Sequence, residues 1–168
     1  MEFLIFSIIF LLLLSYAYAA HSAAPWVPCR ADDVQRIIAL ARIKPKQKIF
    51  EIGCGDGRIL FAAAKRGAHA AGCEISLIPY LIAQARLLFV RNNKPKISYK
   101  NLWNVSLVDA DLIIVFLTPR IMEKLRAKLE HELKPGARVL CYVFPMHAWH
   151  ARQIDKPEHR FGIYLYQR

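Results

Sequence analysis

The sequence predicts an α/β domain: a parallel sheet with helices on both faces and an antiparallel hairpin at one edge. Three observations predict it. Short, near-continuous apolar runs of strand length alternate with longer segments whose apolar residues recur at helical spacing. A glycine-rich turn joins the first such run to the helix after it. The last two strand-like pieces lie too close together for a helical crossover, which makes them a hairpin.

The elements follow in order. Ala31 to Arg42 places Val34, Ile37, Ile38 and Ala41 on one face, with Asp32 and Asp33 in the first turn and Pro45 beyond the end, and so reads as an amphipathic helix. Lys48 to Ile52 is a short β-prone run, Gly53 to Gly57 a turn, and Arg58 to Arg66 a helix stopped by Gly67. The alternation continues with a strand at His69 to Glu74, a helix at Leu77 to Arg91 and a strand at Ile97 to Lys100. A fully apolar strand, Leu112 to Leu117, precedes a helix from Arg120 to Leu133 that closes at Lys134-Pro135-Gly136. Arg138 to Phe144 is another apolar strand, and Arg152 to Ile154 and Phe161 to Tyr166 form the hairpin around Lys156-Pro157.

The first 20 residues stand apart. Phe3 to Ala20 is an apolar stretch broken only by serines and tyrosines, close to the length of about 20 residues that crosses a bilayer. Ala17-Tyr18-Ala19 has the look of a cleavage site, yet no positive n-region precedes the stretch. Glu2 lies before it, and Arg30, Arg36, Arg42, Lys44, Lys46 and Lys48 follow it, so the positive-inside rule favours a retained single-pass anchor. Residues 21–168 then form one domain on the cytoplasmic side, or on the matrix side in a mitochondrion. With 55% hydrophobic and 22% charged residues the chain is not a disordered one. A net charge of +11 favours anionic partners, namely phospholipid headgroups, nucleic acid or an acidic protein. Cys29, Cys54, Cys73 and Cys141 are scattered, and read as buried thiols in a reducing compartment rather than a disulfide framework. His147 and His150 have no neighbouring Cys or carboxylate, so no metal site is expected.

The strongest chemical signal is Glu51-Ile52-Gly53-Cys54-Gly55-Asp56-Gly57 between the first strand and its helix. Gly53, Gly55 and Gly57 permit positive φ and leave bare backbone for a ligand. The spacing departs from the dinucleotide pattern G-x-G-x-x-G, because Arg58 follows and the third glycine comes one residue early. Glu51 would repel a pyrophosphate but pairs with an ammonium. Glu74 ends the second strand, where an acid accepts hydrogen bonds from ribose hydroxyls. A ligand with carboxylate, ammonium and ribose is an amino acid joined to a nucleoside, which describes S-adenosylmethionine.

These residues resemble motif I and the following acidic position of class I methyltransferases. Pro25-Trp26-Val27-Pro28, Asn101-Leu102-Trp103, Phe116-Leu117-Thr118-Pro119 and Leu133-Lys134-Pro135-Gly136 extend the likeness to the small membrane-associated protein lysine methyltransferases of the FAM173 family, over roughly residues 25–150. The family usually has Asp where Glu51 stands, and often Asp where Asn101 stands. The resemblance implies a Rossmann-like seven-stranded sheet, S-adenosylmethionine as cofactor and a membrane-associated protein as substrate. It also implies cofactor contacts from Glu51, Gly53, Gly55, Gly57, Glu74, Asn101 and Leu102.

Methyl transfer from a sulfonium to an amine needs positioning and a neutral acceptor, not a metal or a covalent intermediate. The acceptor channel is expected at the carboxyl ends of the strands, among Phe116, Leu117, Thr118, Pro119, Phe144 and Pro145, with Trp26 folding over from the N-terminal side. Thr118 orients the amine or caps a helix that has Pro119 in its first turn. Arg58, the helix end Glu130-His131-Glu132, and Asp109 and Asp111 read as solvated or structural. Two alternatives stay open: an RNA methyltransferase, although no appended RNA-binding domain is visible, and a membrane-bound module that binds without turnover.

Overall fold

A computed structural model describes residues 1–7, 10, 14 and 26–168 of the chain. Seven strands form one sheet: β1 (Lys48–Ile52), β2 (His69–Glu74), β3 (Lys96–Tyr99), β4 (Leu112–Val115), β5 (Arg138–Tyr142), β6 (Gln153–Asp155) and β7 (Ile163–Gln167). Their order is β3-β2-β1-β4-β5-β7-β6. The first five pair in parallel, while β7 is antiparallel to both β5 and β6, so the expected hairpin is present with β6 at the sheet edge.

From Trp26 onward the helices are α1 (Ala31–Ala41), α2 (Arg58–Lys65), α3 (Leu77–Leu87) and α4 (Pro119–Glu132), with a 3-10 turn at Leu102–Asn104. The period-2 rule divides the core. On β4, Leu112 and Ile114 join Ile37, Ile38, Ile49 and Leu60 under α1 and α2, whereas Ile113 and Val115 join Leu125 and Leu129 under α4. All four β4 residues are buried, as a strand covered on both faces requires. Each such side chain contributes roughly 1.5–3 kcal/mol by leaving water. Gly72 on β2 sits where a Cβ would lie 2.8 Å from Leu60 Cδ1 and 2.9 Å from the Glu51 carbonyl, so only glycine lets α2 approach this closely.

Several elements end sooner than periodicity predicts. The helix read over residues 77–91 stops at Leu87 and gives way to tight turns at Leu88, Phe89 and Val90. Asn93, with φ of 50°, then anchors the chain by donating from Nδ2 to the Ala64 and Ala68 carbonyls at 2.7 and 2.9 Å. The apolar strand read over 112–117 ends at Val115, and the one read over 138–144 ends at Tyr142. In both cases the apolar residues just beyond the strand line a cavity instead of extending the ladder.

The membrane helix expected over residues 3–20 falls mostly outside the described residues. Among the described residues, no helix is long and apolar enough to cross a membrane.

Candidate functional site

The strand order reverses between β1 and β4, and a ligand crevice forms at such a switch point beyond the strands' carboxyl ends. A cavity of about 380 Å³ opens there, within the range of small-molecule sites. Every parallel strand contributes to it: Gly53 after β1, Glu74 and Ile75 at the end of β2, Asn101 and Leu102 after β3, Phe116 to Thr118 after β4, and Val143 and Phe144 after β5. Trp26, Val27 and Phe161 close its sides, so Trp26 folds over the site as its sequence position suggested.

The glycine loop adopts the conformation its composition demands, with φ values of 68°, 54° and 75° at Gly53, Gly55 and Gly57. The requirement is sharpest at Gly55, where a Cβ would stand 2.7 Å from Trp26 Nε1. Two arginines hold the loop from the side: Asp56 pairs with Arg58 at 2.6 Å and with Arg86 at 2.9 Å. Arg58 also donates to the Cys29 carbonyl. Arg58 is therefore a brace, not the solvated residue expected.

Glu74 is buried, and its carboxylate is largely occupied. Oε1 accepts from the backbone N–H groups of Ile75 and Ser76 at 2.8 and 2.7 Å, and Oε2 accepts from the Gly55 N–H at 2.8 Å. It thus ties the glycine loop to the turn that starts α3. These three bonds take up much of the carboxylate's accepting capacity, and Glu74 still lines the cavity where a ribose is expected.

Glu51 behaves differently from expectation. Strand alternation places it with Ile49 toward α1 and α2, beneath the glycine loop, and it does not line the cavity. It is buried, and its Oε2 has no hydrogen-bond partner. Burial, with the Asp56 and Glu74 carboxylates nearby, pushes its pKa well up. A buried oxygen without a donor beside bare backbone fits a cationic group arriving at the loop. Gly55 and Gly57 likewise shape the loop from outside the cavity wall, whereas Gly53, Asn101 and Leu102 face it.

Thr118 lines the cavity at the N-cap position of α4 without a side-chain cap bond to the helix, and Pro119 occupies the first turn behind it. Cys73 also reaches the cavity, but burial raises its thiol to about 11, so it is no nucleophile at neutral pH. Among the described residues, the titratable side chains of the lining are Glu74, Cys73 and Lys100, and the aromatic wall offers no carboxylate or histidine as a general base.

Sequence reasoning missed a polar girder behind the apolar wall. Asp33, which the sequence places in the first turn of a helix, is buried. It accepts from Tyr142 Oη at 2.7 Å, Arg36 at 2.8 Å and Arg160 at 3.2 Å. Burial alone would raise the Asp33 pKa, but these three donors outweigh it and hold it below the usual carboxylate value. Arg36 reaches on to Asp155 and to the Phe161 carbonyl. The Tyr142 ring stacks edge-on with Phe116 and Phe161, at centroid distances of 4.7 and 6.0 Å. The girder thereby joins α1 to β5, β6 and the Phe161 wall.

Val143 was missed as well. This β-branched residue has φ of 72°, and the Phe144 N–H bonds back to the Tyr142 carbonyl at 3.0 Å, a strained γ-turn that aims Val143 and Phe144 at the cavity. Glu130 and Glu132 are not simply solvated. The first accepts from Trp149 Nε1 at 2.8 Å, and the second from the Leu107 N–H at 2.9 Å. Asp111 accepts from the Lys48 N–H at the opposite end of the sheet.

Residues 51–153 match the family model of the ANTKMT methyltransferase domain. A protein-lysine N-methyltransferase of Saccharolobus islandicus (strain REY15A) is 32% identical over 158 residues, covering 89% of this chain and 96% of that protein. The adenine nucleotide translocase lysine N-methyltransferase of Mus musculus is 39% identical over 129 residues, covering 74% of this chain and 55% of that one. This chain therefore spans about half of the mouse protein. Among solved structures, an RNA methyltransferase from Salinibacter ruber in complex with S-adenosyl-L-homocysteine superposes with a TM-score of 0.79 at 26% identity, covering 84% of this chain and 93% of that one.

Proposed function

The chain belongs to the ANTKMT methyltransferase domain family and is an S-adenosylmethionine-dependent methyltransferase; from that premise we propose that it methylates lysine side chains of a protein substrate at a membrane. The observation that carries this reading is the form of the cavity: one charge-bearing acceptor, Glu74, on the cofactor side, and an apolar aromatic wall with no general base on the other.

Gly53 presents backbone to the amino-acid portion of the cofactor, with Gly55 and Gly57 shaping the loop behind it. Glu51, beneath the loop and off the cavity wall, acts on the ammonium through its field across the loop, without direct contact. Glu74 takes one ribose hydroxyl, and Asn101 and Leu102 border the adenine. When bound, S-adenosylmethionine supplies an electrophilic methyl group on a sulfonium. The protein's task is then to hold an amine in line and keep it neutral. A free lysine has a pKa of about 10.4, and the apolar surroundings of Phe116, Phe144 and Phe161 disfavour its charged form. Thr118 orients the amine, and Pro119 fixes the backbone that carries Thr118.

The protein-lysine assignment follows the names of the Saccharolobus and mouse relatives. The membrane setting rests on the apolar segment 3–20 and the basic residues after it, which together suit a single-pass anchor with the catalytic domain on the cytoplasmic or mitochondrial matrix side. RNA as acceptor is the competing reading, favoured by the Salinibacter likeness and the net charge of +11.

Incubating the full chain with methyl-labelled cofactor and a membrane extract separates the two. Label that survives nuclease, is lost with protease and is recovered as methyl-lysine after hydrolysis is the expected result. Label released by nuclease would assign RNA instead.

A further inference from the structure

We propose that the edge of the molecule formed by α3 and β3 lies against an anionic phospholipid surface. This deepens the membrane setting just proposed and rests on it. Ile78, Leu81, Leu88 and Phe89 are 45%, 53%, 79% and 86% exposed, on a helix and the turn that follows it. At about 100° per residue, Ile78 and Leu81 lie about 60° apart on one face of α3, and Leu88 and Phe89 stand in the turn beyond its end. An ordinary surface helix hides that stripe in the core, whereas α3 buries only Pro79 and Ala83 and turns its apolar stripe outward. Beside it runs β3, the edge strand at this end of the sheet, where Tyr99 is half exposed and rests on Tyr80.

Charge identifies the occupant. Between Glu74 and Asp109 the chain has no acidic residue and five basic ones, Arg86, Arg91, Lys94, Lys96 and Lys100. Arg86 is partly engaged with Asp56 but remains 43% exposed, and Arg91, Lys94, Lys96 and Lys100 are exposed. Apolar side chains flanked by cations that outnumber the nearby carboxylates, Asp56 beside Arg86 and Asp109 near Lys94 and Lys96, match an interface of acyl chains and anionic headgroups. A soluble protein partner would be expected to offer, and to meet, charges of both signs. The N-terminal end of α3 follows directly on Glu74 and Ile75 at the cavity, so this edge would hold the cavity mouth near the bilayer surface.

The test uses the full chain without substrate or cofactor. A nitroxide is attached to Phe89→Cys and, separately, to Glu123→Cys on α4; the four native thiols are buried and do not compete for the label. On vesicles of phosphatidylcholine and phosphatidylserine, the label at position 89 is expected to gain accessibility to oxygen and lose several-fold its accessibility to a water-soluble nickel chelate. The label at position 123 should not change. A label at 89 that stays as water-accessible as that at 123, on protein sedimenting with the vesicles, would overturn the proposal. So would an equal response on phosphatidylcholine alone. Spin–spin broadening at 89 that grows with protein concentration without vesicles would assign the face to a second copy of the chain instead. Because no acceptor is present, failure here leaves lysine methylation untouched, and failure of methylation leaves this result standing.

Discussion

Replacing Glu74 with glutamine tests the site through one atom. The substitution keeps size and removes charge. The carboxylate accepts from Ile75 and Ser76 on one oxygen and from Gly55 on the other, at 2.8, 2.7 and 2.8 Å. An amide has one oxygen, and it will face the pair of donors. Its NH2 group then meets the Gly55 N–H, donor to donor. Losing a hydrogen bond to a charged group amounts to about 1.5–3 kcal/mol, and a chain of this size shifts its melting temperature by about 2–4 °C per kcal/mol. The same substitution weakens the acceptor that Glu74 offers to the ribose. One such bond is again worth about 1.5–3 kcal/mol, or a factor of about 10 to 160 in affinity. Calorimetric titration of S-adenosylhomocysteine into full-length Glu74→Gln should therefore show at least tenfold weaker binding, alongside a melting temperature lower by several degrees. A lower melting temperature with unchanged affinity would leave Glu74 as a loop clamp and refute its ribose contact. If neither quantity moves, both roles fail.

Three further outcomes follow from the same geometry. Gly55→Ala places a methyl group 2.7 Å from the Trp26 indole at a φ of 54°, with a backbone penalty of about 1–2 kcal/mol; cofactor binding should be lost, and Trp26→Ala added to it should restore part of the affinity, which would be absent if the clash were unimportant. Val143→Gly relieves a positive φ at the γ-turn, so thermal unfolding should occur at an equal or higher temperature while turnover falls as Phe144 loses its fixed direction; a clear loss of stability would show that the turn stores no strain. Burial raises the Glu51 pKa in the empty protein, a contribution to stability that is present below the unfolded value and lost as pH rises through the raised one. A cation beside it favours the charged form, so cofactor binding should release a proton and tighten with rising pH. Titrations in buffers of different ionisation enthalpy read the proton directly, and Glu51→Gln should abolish it. Binding without proton exchange in the parent would remove Glu51 from the ammonium site.

How much was legible in the sequence depended on how local each signal is. The glycine loop, Glu74 at the end of β2, and Thr118-Pro119 at the start of α4 are written in neighbouring residues, and each lies where its pattern points. Glu51 shows the limit of motif reading: its spacing to the glycines suggested a cavity carboxylate, but the two-residue period shared with Ile49 turns it under the loop. Asp33 and Tyr142 lie 109 residues apart and meet only because α1 packs against β5. Arg160 joins them only because β7 inserts between β5 and β6. No window of sequence contains that return. Val143 was hidden for a different reason: β-branched residues read as strand, and only the γ-turn that ends β5 shows the chain leaving the sheet there.

The central claim is that the crevice between β1 and β4 holds the cofactor, with bare backbone under its amino-acid portion and Glu74 at its sugar. A crystal structure of the full chain with S-adenosylhomocysteine measures this directly. The account predicts the ribose within hydrogen-bond distance of Glu74 Oε2, the amino-acid portion over Gly53 and the adenine beside Asn101 and Leu102. A ligand seated elsewhere, or a ribose facing away from Glu74, would contradict it.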